Sequence, residues 1–271
     1  MDEIVKFEKY VLNNLIEIGK DHDLLNLSNL WIQHSIQRHY SHNFSWLGRP
    51  VIQIPQDIYA IQEIIWKVRP SLIIETGIAH GGSLILSASI LALLNYTDAV
   101  NSGSALAPSE SKRRVVGIDI EIRPHNRKAI ECHPLSHLIE MIEGSSVHRS
   151  VIDQVHSITK PSDQVLVFLD SNHTHDHVLQ ELEAYAPLVS PESYIVVWDT
   201  GIEDLPDGFI VDRPWGKGNN PKTAVWEYMR RLTEEGRKAA DGGPLSFEID
   251  KKMDYKLVVT ASTDGFLRRV T

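Results

Sequence analysis

Four short apolar runs, at residues 71–75 (SLIIE), 114–119 (RVVGID), 164–170 (QVLVFLD) and 194–199 (YIVVWD), each end in a carboxylate, with helical patterns between them. That alternation constrains the chain more than any other feature. Runs with apolar residues on both faces belong to buried strands, and buried strands separated by helices build a parallel sheet covered on each side. A weaker run over 137–143 leads into Gly144, Ser145 and Ser146 and adds a strand. Apolar residues recur at helical spacing over 2–20, 25–38, 56–68, 82–95, 147–158 and 177–186. The tail, 246–250 and 255–261 around a short polar turn, is expected to close the sheet edge as an antiparallel hairpin. The predicted fold is α/β, a doubly wound and mostly parallel sheet with an N-terminal helical extension over residues 1–40.

Charge narrows the function. Lys and Arg number 27 against 36 Asp and Glu, a net charge of −9, which disfavours a nucleic-acid backbone as partner. The single cysteine, Cys132, can form neither an internal disulfide nor a thiolate-rich zinc site, which fits a reducing, cytoplasmic setting. The start MDEIVKFEKY lacks the basic and apolar regions of a signal peptide. The longest apolar stretch, 84–94, includes Ser87 and Ser89 and falls short of the about 20 residues of a membrane-spanning helix, so no span is expected. Residues 96–113 read as a mobile surface insertion and 201–221 as an irregular lid or binding loop. The apolar stripe of the N-terminal helices suggests a homo-oligomer interface, with packing on their own domain as the alternative.

The turn after the first strand, Glu75-Thr-Gly77-Ile-Ala-His-Gly81-Gly82-Ser83, lets a ligand approach the backbone at a helix N-terminus. It has neither the dinucleotide fingerprint nor a P-loop, which disfavours a pyrophosphate or triphosphate ligand. Asp119, ending the next strand, can accept hydrogen bonds from both hydroxyls of a ribose in the same crevice. Together they suggest a nucleoside-containing cofactor without a pyrophosphate.

On these residues the chain resembles the class I S-adenosylmethionine-dependent methyltransferases, with their Rossmann-like sheet, and more closely the cephalosporin hydroxylase family. The likeness runs from about Tyr40 to the end. It rests on residues 43–50 (NFSWLGRP), Ile73 to Gly77 with Gly81 to Ser83, Gly117 to Asp119, Glu143 to Ser146, Leu169 and Asp170 with His173, Val197 to Asp199, and 265–269 (GFLRR). Despite the family's inherited name these are methyl-transfer motifs, with no iron-binding set of two histidines and one carboxylate. The resemblance implies a methyltransferase domain over 41–271. It implies that Glu75, Thr76, Gly77, Gly81, Gly82 and Ser83 line the methionine end of the cofactor, that Asp119 holds the ribose, and that Gly144 and Ser145 border the adenine. Asp170 would face the sulfonium and a Mg²⁺ ion. Trp198 stands where the family pattern has an acid, which leaves Asp199 as the second carboxylate for the metal.

His173 keeps the family's spacing from Asp170 and is expected to act, as a neutral imidazole, as general base toward an acceptor hydroxyl. A helix-capping role is its alternative. Read without the resemblance, His173, His175 and His177 beside Asp170 and Asp176 suggest a metal-dependent hydrolase, but no histidine follows His177 to complete such a site. His175 and His177 are therefore expected at a helix cap and on the surface of its first turn. A non-catalytic cofactor-binding module is the remaining alternative. Trp46 and Trp215 lie in irregular segments expected to flank the crevice, where aromatic rings can stack on a sugar or close a lid. The expected partner is a small-molecule hydroxyl acceptor, a sugar or glycosylated metabolite by family analogy.

Overall fold

The computed structural model describes residues 2–160 and 163–270, so Met1, Pro161, Ser162 and Thr271 of the ranges above lie outside it. Helices α1 (Glu3–Lys20) and α2 (His22–Gln37) come first, with Asp2 accepting from the Ile4 amide and Asp21 from that of Leu24. A hairpin, β1 (Phe44–Trp46) and β2 (Arg49–Val51), leads into α3 (Pro55–Val68). The alternating part follows as β3 (Leu72–Thr76), α4 (Gly82–Ser102), β4 (Arg114–Asp119), α5 (Pro124–Glu131), β5 (Ile139–Glu143), α6 (Arg149–Ile158), β6 (Val165–Leu169), α7 (His175–Tyr185) and β7 (Tyr194–Val197). The chain closes with α8 (Pro221–Glu235), β8 (Phe247–Ile249), α9 (Lys251–Leu257) and β9 (Phe266–Arg269).

Seven strands form one sheet in the order β5-β4-β3-β6-β7-β9-β8. The first five are parallel, and β9 runs antiparallel to both β7 and β8. Side chains alternate between the faces as a strand requires. Ile74, Val116, Val167 and Ile195 pack against Val155 of α6, Leu182 of α7 and Tyr228 of α8, while Ile73, Val115, Leu166 and Val196 pack against Ile61 of α3, Leu91 of α4 and Met253 of α9. The sheet runs outward from β3 to β5, then crosses back to β6. This reversal opens a crevice beyond the carboxyl ends of β3 and β6, where ligands of open α/β sheets bind.

Three expectations need correction. Helix α4 does not stop at Asn95; it continues to Ser102, where Gly103 in the left-handed region (φ 63°) ends it. The polar letters after Asn95 face outward on a continuing helix, and Asp98 pairs with Arg113 at 2.8 Å and with Arg69, tying down part of the supposed mobile insertion. At 21 residues α4 also passes, by length and composition, as a membrane-spanning candidate, unlike its eleven-residue core; Leu84, Ile85, Leu86, Leu91 and Leu94 are nevertheless packed inside the protein. In the tail the antiparallel pair is β8 with β9. The Tyr255 to Ala261 segment is no strand, because Met253 and Leu257, one helical turn apart, bury together in α9.

Asp57, buried at the start of α3, accepts from Thr260 Oγ1 at 2.6 Å and the Ala261 amide at 3.0 Å, holding the segment that precedes β9. Burial pushes its carboxyl up to about 7, against the pull of those two hydrogen bonds and with help from the nearby Asp199 and Asp170 charges. The folded state therefore keeps a proton that the unfolded chain releases above about pH 4, so this group's stabilisation is full in acid and is lost as pH rises to about 7, on the order of 1.4 kcal/mol per pH unit at most. Asp57→Asn should remove that slope. Denaturant melts of both proteins from pH 5 to 8 should show the variant gaining on the wild type as pH rises; a constant difference would mean that Asp57 does not titrate in this range.

Candidate active site

The crevice has a glycine-rich half and an acidic half. In the first, Glu75 and Thr76 end β3, and Gly77 turns the chain with φ 90°. A Cβ at Gly77 would lie 1.9 Å from the Asp170 carbonyl oxygen, so only glycine lets the β3 turn pass the β6 turn. Gly81 (φ 81°) caps α4, and Gly82 lies so close to β2 that a Cβ there would meet the Pro50 carbonyl at 2.1 Å. Glu75 is buried and accepts from Ser83 Oγ, yet its Oε2 has no hydrogen-bond partner among the described residues. Burial pushes its carboxyl up to about 8, opposed by the Ser83 hydrogen bond. Asp119 reaches across from β4: Oδ2 accepts from the Ile78 and Ala79 amides at 2.8 and 3.1 Å, and Oδ1 from Glu121 at 3.2 Å. The expected ribose ligand thus also clamps the glycine turn, a role that no spacing in the sequence reveals. Gly144, whose amide donates to the Asp119 carbonyl at 2.8 Å, brings Ser145 to the end of the same crevice.

In the acidic half, Asp170 follows β6 and Asp199 follows β7. His173 lies between them, with Nε2 3.5 Å from Asp170 Oδ1 and Nδ1 3.1 Å from Asp199 Oδ2. One ligand atom from each of the three falls within 4.8 Å of the others, a grouping that could hold a metal ion. Asp199 adopts the left-handed region (φ 56°), which turns its side chain to this cluster, whereas Trp198 before it packs into the core against Phe168 and Phe266. Burial would lower the His173 pKa, but the Asp199 charge, with the Asp170 hydrogen bond and charge, outweighs it and pushes the group up to about 9. The two carboxylates therefore favour the cationic imidazole in the ligand-free chain. The Asp170 carboxyl is itself raised, by burial, with His173 pulling it back.

A family model described as Rhamnosyl O-methyltransferase/CmcI matches residues 38–270. The chain belongs to this family. Among curated relatives it is 25% identical to the rhamnosyl O-methyltransferase of Mycobacterium leprae over 226 residues, 83% of this chain and 82% of that protein. It is 26% identical to that of Mycobacterium tuberculosis strain H37Rv over 220 residues, 79% and 73% of the two chains. A solved CmcI complex with Mg and SAM shares the fold at 16% identity and a TM-score of 0.50, covering 85% of this chain and 78% of that one.

Within this family member the three histidines of the 173–177 segment separate, so they do not form one metal site. His175 Nδ1 bonds Thr223 Oγ1 at 2.8 Å at the start of α7. His177 is not a free surface residue as expected; it turns inward, with Nε2 3.1 Å from both Ser146 Oγ and Ser171 Oγ. The two tryptophans also part. Trp46 lies in β1, bonded through Nε1 to Ser89 of α4 at 2.9 Å and packed on the core, away from the irregular setting expected for it. Trp215 does face the acidic half, its ring centroid 4.9 Å from that of His173. Its loop is fixed by residues that no motif in the sequence marks. Glu203 accepts from the Gly218 amide at 2.7 Å, and Asn219 bonds the Pro214 carbonyl at 2.8 Å and the His175 amide at 2.9 Å.

Proposed function

We propose that this protein is an S-adenosylmethionine-dependent O-methyltransferase that methylates a hydroxyl of a small-molecule acceptor, a sugar or glycosylated metabolite. The observation that carries the proposal is the abutment of the two halves: the Asp119-clamped glycine turn meets, at Gly77, the backbone of Asp170, a member of the Asp170, His173 and Asp199 cluster. The unpartnered, buried Glu75 Oε2 fits a crevice whose polar wall completes its hydrogen bonds on a ligand. The names of the mycobacterial relatives support a sugar acceptor.

Glu75, Thr76, Gly77, Gly81, Gly82 and Ser83 form the methionine end, Asp119 the ribose contact, and Gly144 and Ser145 the adenine border. When bound, S-adenosylmethionine supplies an electrophilic methyl group on a sulfonium centre. Two carboxylates, Asp170 and Asp199, suit Mg²⁺, which takes oxygen ligands and keeps several waters. A cation there would supply Lewis acidity toward the acceptor hydroxyl. His173 moves the proton. In its neutral form the ring would keep Nδ1–H toward Asp199, 3.1 Å away, and take the hydroxyl proton at Nε2, which lies 3.5 Å from Asp170 Oδ1. Trp215 walls the space over the imidazole and offers an aromatic face to an acceptor ring.

Two experiments test this. Calorimetry should find S-adenosylmethionine binding to the purified protein, and exhaustive chelation should abolish or strongly depress methyl transfer until Mg²⁺ is restored. Full transfer after chelation would leave the two aspartates needing another role, and undetectable cofactor binding would end the methyltransferase proposal. Trp215→Ala is expected to raise KM for the acceptor by about 3- to 10-fold, the scale of a lost aromatic contact, with cofactor affinity unchanged. A KM unaltered by that substitution would take Trp215 out of the acceptor site.

The same proposal takes residues 1–40 as an extension and 41–271 as the catalytic domain, working in the cytoplasm. Ile4, Phe7, Tyr10 and Leu27 on α1 and α2 are more than half exposed, which supports self-association through these helices. Light scattering of the wild type beside Phe7→Glu would report it.

A further inference from the structure

Two polar groups behind the crevice have no part in the reading above. Glu181 of α7 is fully buried; its Oε1 accepts from Ser171 Oγ at 2.6 Å, and its Oε2 has no hydrogen-bond partner among the described residues. One turn earlier, His177 sets Nε2 3.1 Å from Ser146 Oγ, 3.1 Å from Ser171 Oγ and 3.5 Å from Glu181 Oε1. Ser171 gives its own proton to Glu181, so its oxygen is left to accept from His177 Nε2–H. Ser146, buried, is held from behind by Tyr185, whose hydroxyl donates to the Ser146 carbonyl at 2.5 Å.

These contacts join two turns that the sheet leaves apart. Ser146 ends the turn after β5 and Ser171 belongs to the turn after β6, and β4 and β3 lie between those strands. The backbone connects the two turns only in three steps through β4 and β3, Gly144 to Asp119, Gly77 to Ile118 and Asp170 to Thr76, whereas His177 connects them directly. A buried carboxylate with an unmade hydrogen bond costs stability, and apolar packing of equal volume is commonly as stable or more so. Packing alone therefore gives a poor account of His177 and Glu181.

We propose that His177, backed by Glu181, is a positioning residue that sets the spacing between the adenosine end of the crevice, at the 144–146 turn, and its methyl-transfer end, at the 170–173 turn. This rests on the S-adenosylmethionine reading. A ligand that spans both ends depends on that spacing, and one that occupies the adenosine end alone does not. A role confined to stability or to the shape of the adenine border would treat both ligands alike.

The test is calorimetry of S-adenosylhomocysteine, which spans the crevice, and of adenosine, which does not, on wild type, His177→Ala, Ser146→Ala and the double variant, well below their melting temperatures. His177→Ala should weaken S-adenosylhomocysteine about tenfold, the scale of one or two lost hydrogen bonds, and adenosine by less than about twofold. Ser146→Ala should show the same selectivity with a smaller loss, and the double variant should be no worse than His177→Ala, because both substitutions break one link. Equal weakening of both ligands, or no weakening of either, would overturn the positioning role. If His177→Ala does not fold, the selectivity of Ser146→Ala decides in the same way. Failure of the wild type to bind either ligand would overturn the cofactor reading itself, an outcome distinct from loss of selectivity in the variants.

Discussion

Replacing His173 by alanine is expected to lower turnover by about 10²- to 10⁴-fold, the usual contribution of a positioned general base, while S-adenosylmethionine affinity stays within about twofold. The alcohol proton has to leave as the methyl group arrives, and His173 is held between the two carboxylates, Nδ1 3.1 Å from Asp199 and Nε2 3.5 Å from Asp170. The same carboxylates that orient the ring also favour its protonated form, at a pKa of about 9 in the ligand-free chain. A protonated imidazole cannot accept a proton, so activity should fall as pH drops through that value. Positive charge bound at Asp170 and Asp199 opposes the field of the two carboxylates and lowers the His173 pKa. The acid limb of the pH–rate profile should therefore move to lower pH as Mg²⁺ is raised, and it should be missing from the His173→Ala profile. Near-normal turnover in His173→Ala, beside a severe defect in His175→Ala, would move the base to a residue that the structure ties to Thr223.

Parts of this arrangement were legible because they follow from burial. Strands apolar on both faces are central in a covered sheet, and the carboxylate ending the second of them placed Asp119 at the crevice, while Asp170 and Asp199 were placed there by the family resemblance; Glu75, which ends the first run, is buried. What escaped depends on direction. Trp198 and Asp199 are neighbours in sequence, and the left-handed conformation of Asp199 decides which of them reaches the cluster. No side-chain pattern encodes that choice. His177 looked like a solvated first-turn residue because its partners, Ser146 and Ser171, come from other strands' turns and only the fold brings them together. The tail failed for another reason. Tyr255 to Ala261 has the composition of a strand, and the helical interval from Met253 to Leu257 prevails because both side chains find the same core cluster. The single-letter signal for the end of α4 was Gly103, masked by the serines and asparagines before it.

Asp119→Ala is expected to weaken S-adenosylmethionine binding by about 100-fold or more, a larger loss than removal of a ribose contact alone would cause. The carboxylate accepts three backbone amides, from Ile78, Ala79 and Glu121, and two of these belong to the turn that forms the cofactor wall. Hydrogen bonds to a charged group contribute roughly 1.5–3 kcal/mol each, so losing the ribose contact and the loop clamp together exceeds the about 2.7 kcal/mol that corresponds to 100-fold. The two parts can be separated. Asp119→Asn keeps a carbonyl oxygen for the loop amides but loses the charge and one acceptor, and should fall between wild type and alanine. Hydrogen exchange in the ligand-free proteins reports the clamp: the Ile78 and Ala79 amides should exchange faster in Asp119→Ala than in wild type, with Asp119→Asn close to wild type. Faster exchange with unchanged affinity would leave Asp119 as a clamp only. Unchanged exchange with a 100-fold loss of affinity would mean that the ribose contact carries the whole effect and that the amides find other acceptors. A folded alanine variant with wild-type affinity would remove Asp119 from the cofactor site, and with it the residue on which the assignment of a ribose to this crevice rests.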